Sequence, residues 1–333
     1  MKHVTCLPVI LEWDGPIDRE LDALETEYTG ALYERFGAVL GLLLGEAPDR
    51  ARSLLAELST LDAASFDRLL RRPETSRRLT LCERYPLSGT LDYLRAAADA
   101  QREALADEPA PLAERLAALV DHGDLSEGLA AATVEGLKRV AALAATAVPG
   151  AMTMVLRCAR EIHLRSDPSV SHFRSNSPQG CVGRAVFTNC GDADDVALVE
   201  ALVHEAIHGL VGMSEAVGLV RGPSHVWLAD PYPYDGASRV RSPWTGTPLD
   251  LPTYLHAVFV WYGLLGFWTR VYPLGLWPEA RVRSRVQRAL CGFVRGAAIA
   301  EIEPFRGIIA PQLFDTLTQM SGAVHMQLDE ALP

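Results

Sequence analysis

The sequence predicts a predominantly helical α+β protein, with a small sheet packed beside one long helix and a helical N-terminal half in front of them. Three observations predict it. Apolar residues recur at helical spacing through the first 147 positions; "ALYERFGAVLGLLLGE", for example, places Leu32, Phe36, Val39, Leu40 and Leu43 on one stripe. After Gly150 the texture changes to short runs, "MTMVLRCAREIHL" and "GRAVFTNC", that read as strands. A capping signal, "CGDADD", then opens a helix from about Asp194 to Val211. With 333 residues, 49% of them hydrophobic and 22% charged, the chain can bury a large core and lacks the composition of a disordered segment.

In order along the N-terminal half, "SLLAELSTLDAASFDRLL" continues the first helical pattern. "SGTLDYLRAAADAQREALADEP" opens at a Ser88/Thr90 capping signal and ends before a proline pair, and "APLAERLAALVDHG" stops at Gly123. "SEGLAAATVEGLKRVAALAATAVPG" is an Ala-rich helix closed by Pro149-Gly150. No fixed-period repeat is present. Residues 1–148 thus form a helical region suited to a scaffold or peptide-docking role, and residues 149–333 carry the candidate chemistry. There, a long loop over 213–250 leads to an apolar helix, about 251–271, and "PEARVRSRVQRALCGFVRGAAIAEI" and "GIIAPQLFDTLTQM" add two more.

A net charge of −11 disfavours nucleic acid and anionic membrane as partners, because both would repel the chain. The stretch "MKHVTCLPVILEWDGP" lacks the features of a secretory signal, and the apolar run 254–268 is too short to span a bilayer. Six scattered cysteines form no framework and read as reduced thiols, so a cytoplasmic location is expected. Arg281, Arg283, Arg285, Arg288 and Arg295 form a basic run that reads as a solvated helix face laced with salt bridges.

The candidate chemistry lies in "VEALVHEAIHGLV", residues 199–211, which holds His-Glu-x-x-His. Two imidazoles four residues apart share one helix face and can grip one metal ion. With nine histidines in the chain, an accidental match is expected on the order of one or two per cent of the time. Burying His204, Glu205 and His208 together without a partner would be costly, which favours a metal over chance. The helix beside a strand is the zincin-like setting of this motif.

Two histidines leave a site incomplete, and the third ligand decides its chemistry. Zinc peptidases take three protein ligands and one open position, whereas iron oxygenases take three on one face and leave several open. The positions three and six after His208 are Val211 and Ser214, so the metzincin pattern is absent. Glu215 lies too far along the same helix to curl back easily. Three candidates follow: His225 in a loop, Asp230 beside Pro231, and His256 in a strongly apolar helix where an unpartnered imidazole needs an explanation. In the strand "GRAVFTNC" an edge could pair with an extended peptide, and Ser175, Asn176 and Ser177 could line the site.

Taken together, "LVEALVHEAIHGLV", Arg241-Ser242-Pro243-Trp244, "TGTPLDLP" and Leu255-His256 resemble the 2-oxoglutarate-dependent HExxH-type peptide β-hydroxylases, a family of HExxH-motif peptide-modification proteins. The resemblance covers roughly 170–270. It departs where many members carry Gln at position 256 and a His one turn on, near Trp261, and the "TGTPLD" turn lacks the family's Arg. The resemblance implies Fe(II) held by His204, His208 and His256, with 2-oxoglutarate as cosubstrate and a ribosomally made precursor peptide as substrate. It implies a guanidinium on the far carboxylate of 2-oxoglutarate, Arg241 first and Arg239 second. Hydroxylation by iron needs no general base, so Glu205 would orient a ligand or water. The alternative is a zinc metallopeptidase, in which Glu205 would activate a zinc-bound water.

Overall fold

The structure, a computed structural model, describes residues 2–13, 17–80, 85–103, 111–178, 180–221, 226–228 and 239–331. The elements run α1 Lys2–Thr5, α2 Leu7–Leu11, α3 Asp18–Glu46, α4 Pro48–Leu58, α5 Ala63–Arg71, α6 Pro73–Thr80, α7 Leu87–Glu103, α8 Leu112–Ala117, β1 Val120–Asp121 and α9 Glu127–Ala147. They continue with α10 Pro149–Cys158, β2 Glu161–Arg165, β3 Arg174–Asn176, β4 Arg184–Thr188, α11 Asp195–Arg221, β5 Arg239–Arg241, β6 Pro248–Asp250, α12 Leu251–Val271, α13 Glu279–Cys291, α14 Ala297–Ala300 and α15 Pro311–Ala331. The fold is predominantly helical α+β, as the apolar spacing predicts.

Helical periodicity translates directly into burial in the first half. On α3, Leu21, Leu24, Tyr28, Leu32, Phe36, Val39 and Leu43 are buried, a stripe three or four residues apart. The sheet has the order β1-β2-β4-β3, with β1, β2 and β4 parallel and β3 antiparallel to β4. Its strand β1 comes from residues 120–121, on the N-terminal side of position 148, and one buried apolar cluster runs from Val4 to Val324.

Four expectations are corrected. In "MTMVLRCAREIHL" only Glu161–Arg165 is a strand; Pro149–Cys158 is a helix with Pro149 in its first turn. Ala151, Met152, Met154, Val155 and Cys158 are buried at helical spacing, so packing on α9 and α11 overrides the β-branched residues there. "GRAVFTNC" supplies β4, which is paired on both sides by β2 and β3; the edge nearest the motif is β3. The motif helix does not stop near Val211 but runs on to Arg221, its added turns burying Met213, Ser214, Ala216 and Val217 in the core. Finally, the helix expected from Pro278 onward breaks after Cys291, where Arg295 and Gly296 adopt left-handed backbone.

Two glycines let the central helices approach. A Cβ on Gly209 would lie 2.3 Å from the carbonyl oxygen of Cys158, and one on Gly263 would lie 2.7 Å from Ile207 Cδ1. Gly209 therefore seats α11 on the end of α10, and Gly263 seats α12 on α11. Among the described residues α11 is the one helix long and apolar enough to cross a membrane, and most of it is buried inside the protein, as a core helix is. The cysteines described are all free. Burial raises the thiols of Cys6 to about 11 and of Cys158 and Cys190 to about 12, which leaves them poor nucleophiles.

Candidate metal centre

His204 and His208 lie one helical turn apart on α11, with ring centroids 5.0 Å apart. Ligand atoms of His204, Glu205 and His208 all fall within 4.8 Å of one another. Burial holds both imidazoles well below the ordinary histidine range, His204 at about 4 and His208 at about 3. For His208 the neighbouring His204 and His256 push in the same direction, and Glu205 opposes them. Both rings are therefore neutral at pH 7, the form in which an imidazole nitrogen binds a metal.

Glu205 is 2% exposed. Its Oε2 accepts a 2.6 Å hydrogen bond from the hydroxyl of Ser177, one residue beyond β3. Its Oε1 is buried with no partner and lies 3.9 Å from His204 Nε2. The donor set and the bare oxygen thus fit a divalent ion beside this turn. In an apolar core an unpaired carboxylate oxygen is otherwise costly.

The third candidate, His256, enters from the second turn of α12. That helix is started by Asp250, whose carboxylate accepts from Thr253 N at 2.8 Å, and Pro252 lies in its first turn. The His256 ring stacks on His208 at 5.8 Å. Its Nε2 meets Glu215 Oε2 at 3.2 Å, and the indole of Trp227 covers it at 5.3 Å. Positions 204, 208 and 215 of α11 fall within roughly 40° of one another at about 100° per residue, which puts them on one face of the helix. His225 and Asp230 lie outside the described residues.

Arg239 and Arg241 sit on the β5–β6 hairpin, both exposed, with Val240 buried between them. The Arg241 guanidinium lies near Gly246 in the hairpin turn, and neither arginine forms an ion pair or hydrogen bond with the histidines among the described residues. Trp244, from Arg-Ser-Pro-Trp, packs on Trp261 at 5.9 Å and on Phe293 at 5.3 Å, and donates its indole N–H to Ala289 O at 2.8 Å. That tryptophan anchors the hairpin to α12 and to the turn at Gly292. In the basic run, Arg281 pairs with Asp194, Arg283 with Glu279 and Arg285 with Glu200. The first two pairs lie on the solvated face that was expected, whereas Arg285 and Glu200 are largely buried.

Sequence reasoning missed Trp227 and the partnership of Glu215 with His256. Both depend on chain crossings, and neither carries a motif. A second group, Asp121, Glu161 and His163, has ligand atoms equally close. It is accounted for by cross-strand pairs, His163 to Asp121 at 2.8 Å and Arg184 to Glu161 at 3.0 Å. Neither a scan against protein-family models nor a search of curated proteins finds a match to this chain.

Proposed function

We propose that this chain is a cytoplasmic Fe(II)/2-oxoglutarate-dependent dioxygenase that hydroxylates a side-chain β-carbon of a ribosomally synthesised precursor peptide. The observation that carries the reading is the stacking of His256 on His208, which brings a third imidazole beside the His204–His208 turn. When bound, iron and 2-oxoglutarate supply an O₂-dependent oxidation: one oxygen atom enters succinate, the other the peptide C–H bond, and CO₂ leaves.

The residues divide the remaining work. His204 and His208 bind as neutral imidazoles, so no proton has to be displaced near pH 7. Glu215 engages His256 at Nε2, which leaves Nδ1 as the nitrogen His256 would offer a metal; its ligand atoms do not fall in the close group of His204, Glu205 and His208. Trp227 and Phe259 exclude water behind it. Arg241, or Arg239, free of an ion pair among the described residues, is the candidate for the distal carboxylate of 2-oxoglutarate. The net charge of −11 supports a peptide rather than a nucleic acid as partner.

The test is anaerobic addition of Fe(II) and then 2-oxoglutarate. A visible charge-transfer absorption, lost in His204→Ala, is expected; with O₂ and the peptide, succinate and a product heavier by one oxygen atom follow. Product formed without O₂ would sink the proposal. The bare oxygen of Glu205 beside His204 also favours a second reading, a zinc metallopeptidase. The two separate at Glu205→Gln, which retains succinate formation in an oxygenase and abolishes cleavage in a peptidase.

A further inference from the structure

We infer that Ser177 is a positioning residue of the metal centre, clamping one oxygen of Glu205 so that the other is held facing the metal side of His204. The inference rests on the reading above only in taking His204 and His208 as metal ligands.

The chain's own geometry supplies the clamp. Strand β3 pairs Arg174 with Thr188, Ser175 with Phe187 and Asn176 with Val186, and β3 packs against α11. The period of two along a strand sends alternate side chains to one face. Arg174 and Asn176 are exposed, while Ser175 and Ser177 are half-buried. Ser177 thus points at α11 one step past the last pair, where its hydroxyl reaches Glu205 Oε2 at 2.6 Å. At that length the hydroxyl donates and the carboxylate oxygen accepts in a short hydrogen bond.

A glutamate carboxylate rotates about its last bond in a broad, roughly two-fold well. Left alone in a buried site, it would turn to satisfy both oxygens. Here Oε2 is satisfied and Oε1, equally buried, is not. A hydrogen bond serving stability alone has no reason to strand the second oxygen 3.9 Å from a histidine nitrogen. Fixing Oε1 toward a cation, or toward a water on that cation, gives the stranded oxygen its partner. The edge strand thereby sets the orientation of the motif's glutamate across 28 residues of sequence.

The test uses Co(II) alone as probe with the full-length chain, reading affinity and the visible ligand-field spectrum. Ser177→Ala is expected to weaken Co(II) binding by roughly tenfold, at the low end of what outer-shell partners of metal ligands give, and to alter the spectrum. Ser177→Thr, which keeps the hydroxyl, restores both. In a Glu205→Ala background Ser177→Ala has no further effect, because the serine acts through that carboxylate. Unchanged affinity and spectrum in Ser177→Ala overturn the proposal, and so do equal losses in both Glu205 backgrounds or a wild-type chain that binds no Co(II). Should Ser177→Ala fail to fold, Ser177→Cys, similar in size and a weak donor, carries the same comparison. The readout needs neither 2-oxoglutarate nor peptide, so a clamp that passes while succinate is never formed leaves the hydroxylase reading alone to fall.

Discussion

His256 meets three side chains at once: the ring of His208 beneath it, the indole of Trp227 over it, and Glu215 at its Nε2. A carboxylate that fixes the tautomer of a metal-binding histidine typically contributes 10–100-fold in affinity, so Glu215→Ala should weaken Fe(II) or Co(II) binding by about that factor. Glu215→Gln should fall between the two; equal affinity in all three proteins would remove His256 from the ligand set. The pH response of the metal-free chain follows from His204 and His208. Both are held below 6.5 by burial, at about 4 and about 3. Above 6.5 the folded and unfolded chains bind no proton there and stability is complete. Between 6.5 and these lower values the unfolded chain takes up protons that the folded chain refuses, so stability declines as pH falls. Thermal denaturation of metal-free protein from pH 7 to pH 4 should show that decline, and replacing both histidines with Gln should flatten it.

At the scale of elements, α11 is held in place by the absence of side chains as much as by their presence. Gly209→Ala would drive a methyl into the Cys158 carbonyl and should cost about 1–3 kcal/mol, as overpacking does. Gly37 on α3 has open space around its Cα, so Gly37→Ala should instead stabilise the chain by about 0.4–1 kcal/mol through the unfolded state. Urea denaturation of the two variants compares them directly, and the opposite order would contradict this packing of α10 on α11. The one-turn spacing of His204 and His208 and the helical stripe on α3 were legible in the sequence because helix periodicity is local. The strand expected at 152–158 was not, since its helical state is imposed by burial against α9 and α11.

Across the whole molecule, one apolar cluster links the N-terminal helices to α11 and α12. Trp13 lies under α12, donating its indole N–H to Gly263 O at 2.9 Å, and a Cβ on Gly266 would stand 3.1 Å from its ring. Trp13→Ala should therefore cost about 3–5 kcal/mol, the usual range for a buried tryptophan, and loosen the seat of His256. Calorimetry of the wild type should show one cooperative transition, raised by Co(II) with the logarithm of its concentration once that exceeds Kd. A separate, metal-insensitive transition for the N-terminal helices would contradict the shared core.

The sequence by itself determined the fold class, the motif and its two histidines, and it put His256 in a setting that demanded a partner. These depend on spacing along one helix or on the cost of an imidazole among apolar residues, and both can be read locally. Only the tertiary structure decided which strand forms the edge, that Ser177 reaches Glu205, and that Glu215 meets His256. Those pairings join residues 28 and 41 positions apart. Their geometry depends on strand register and helix packing, which are settled when α11 closes against α10 and α12.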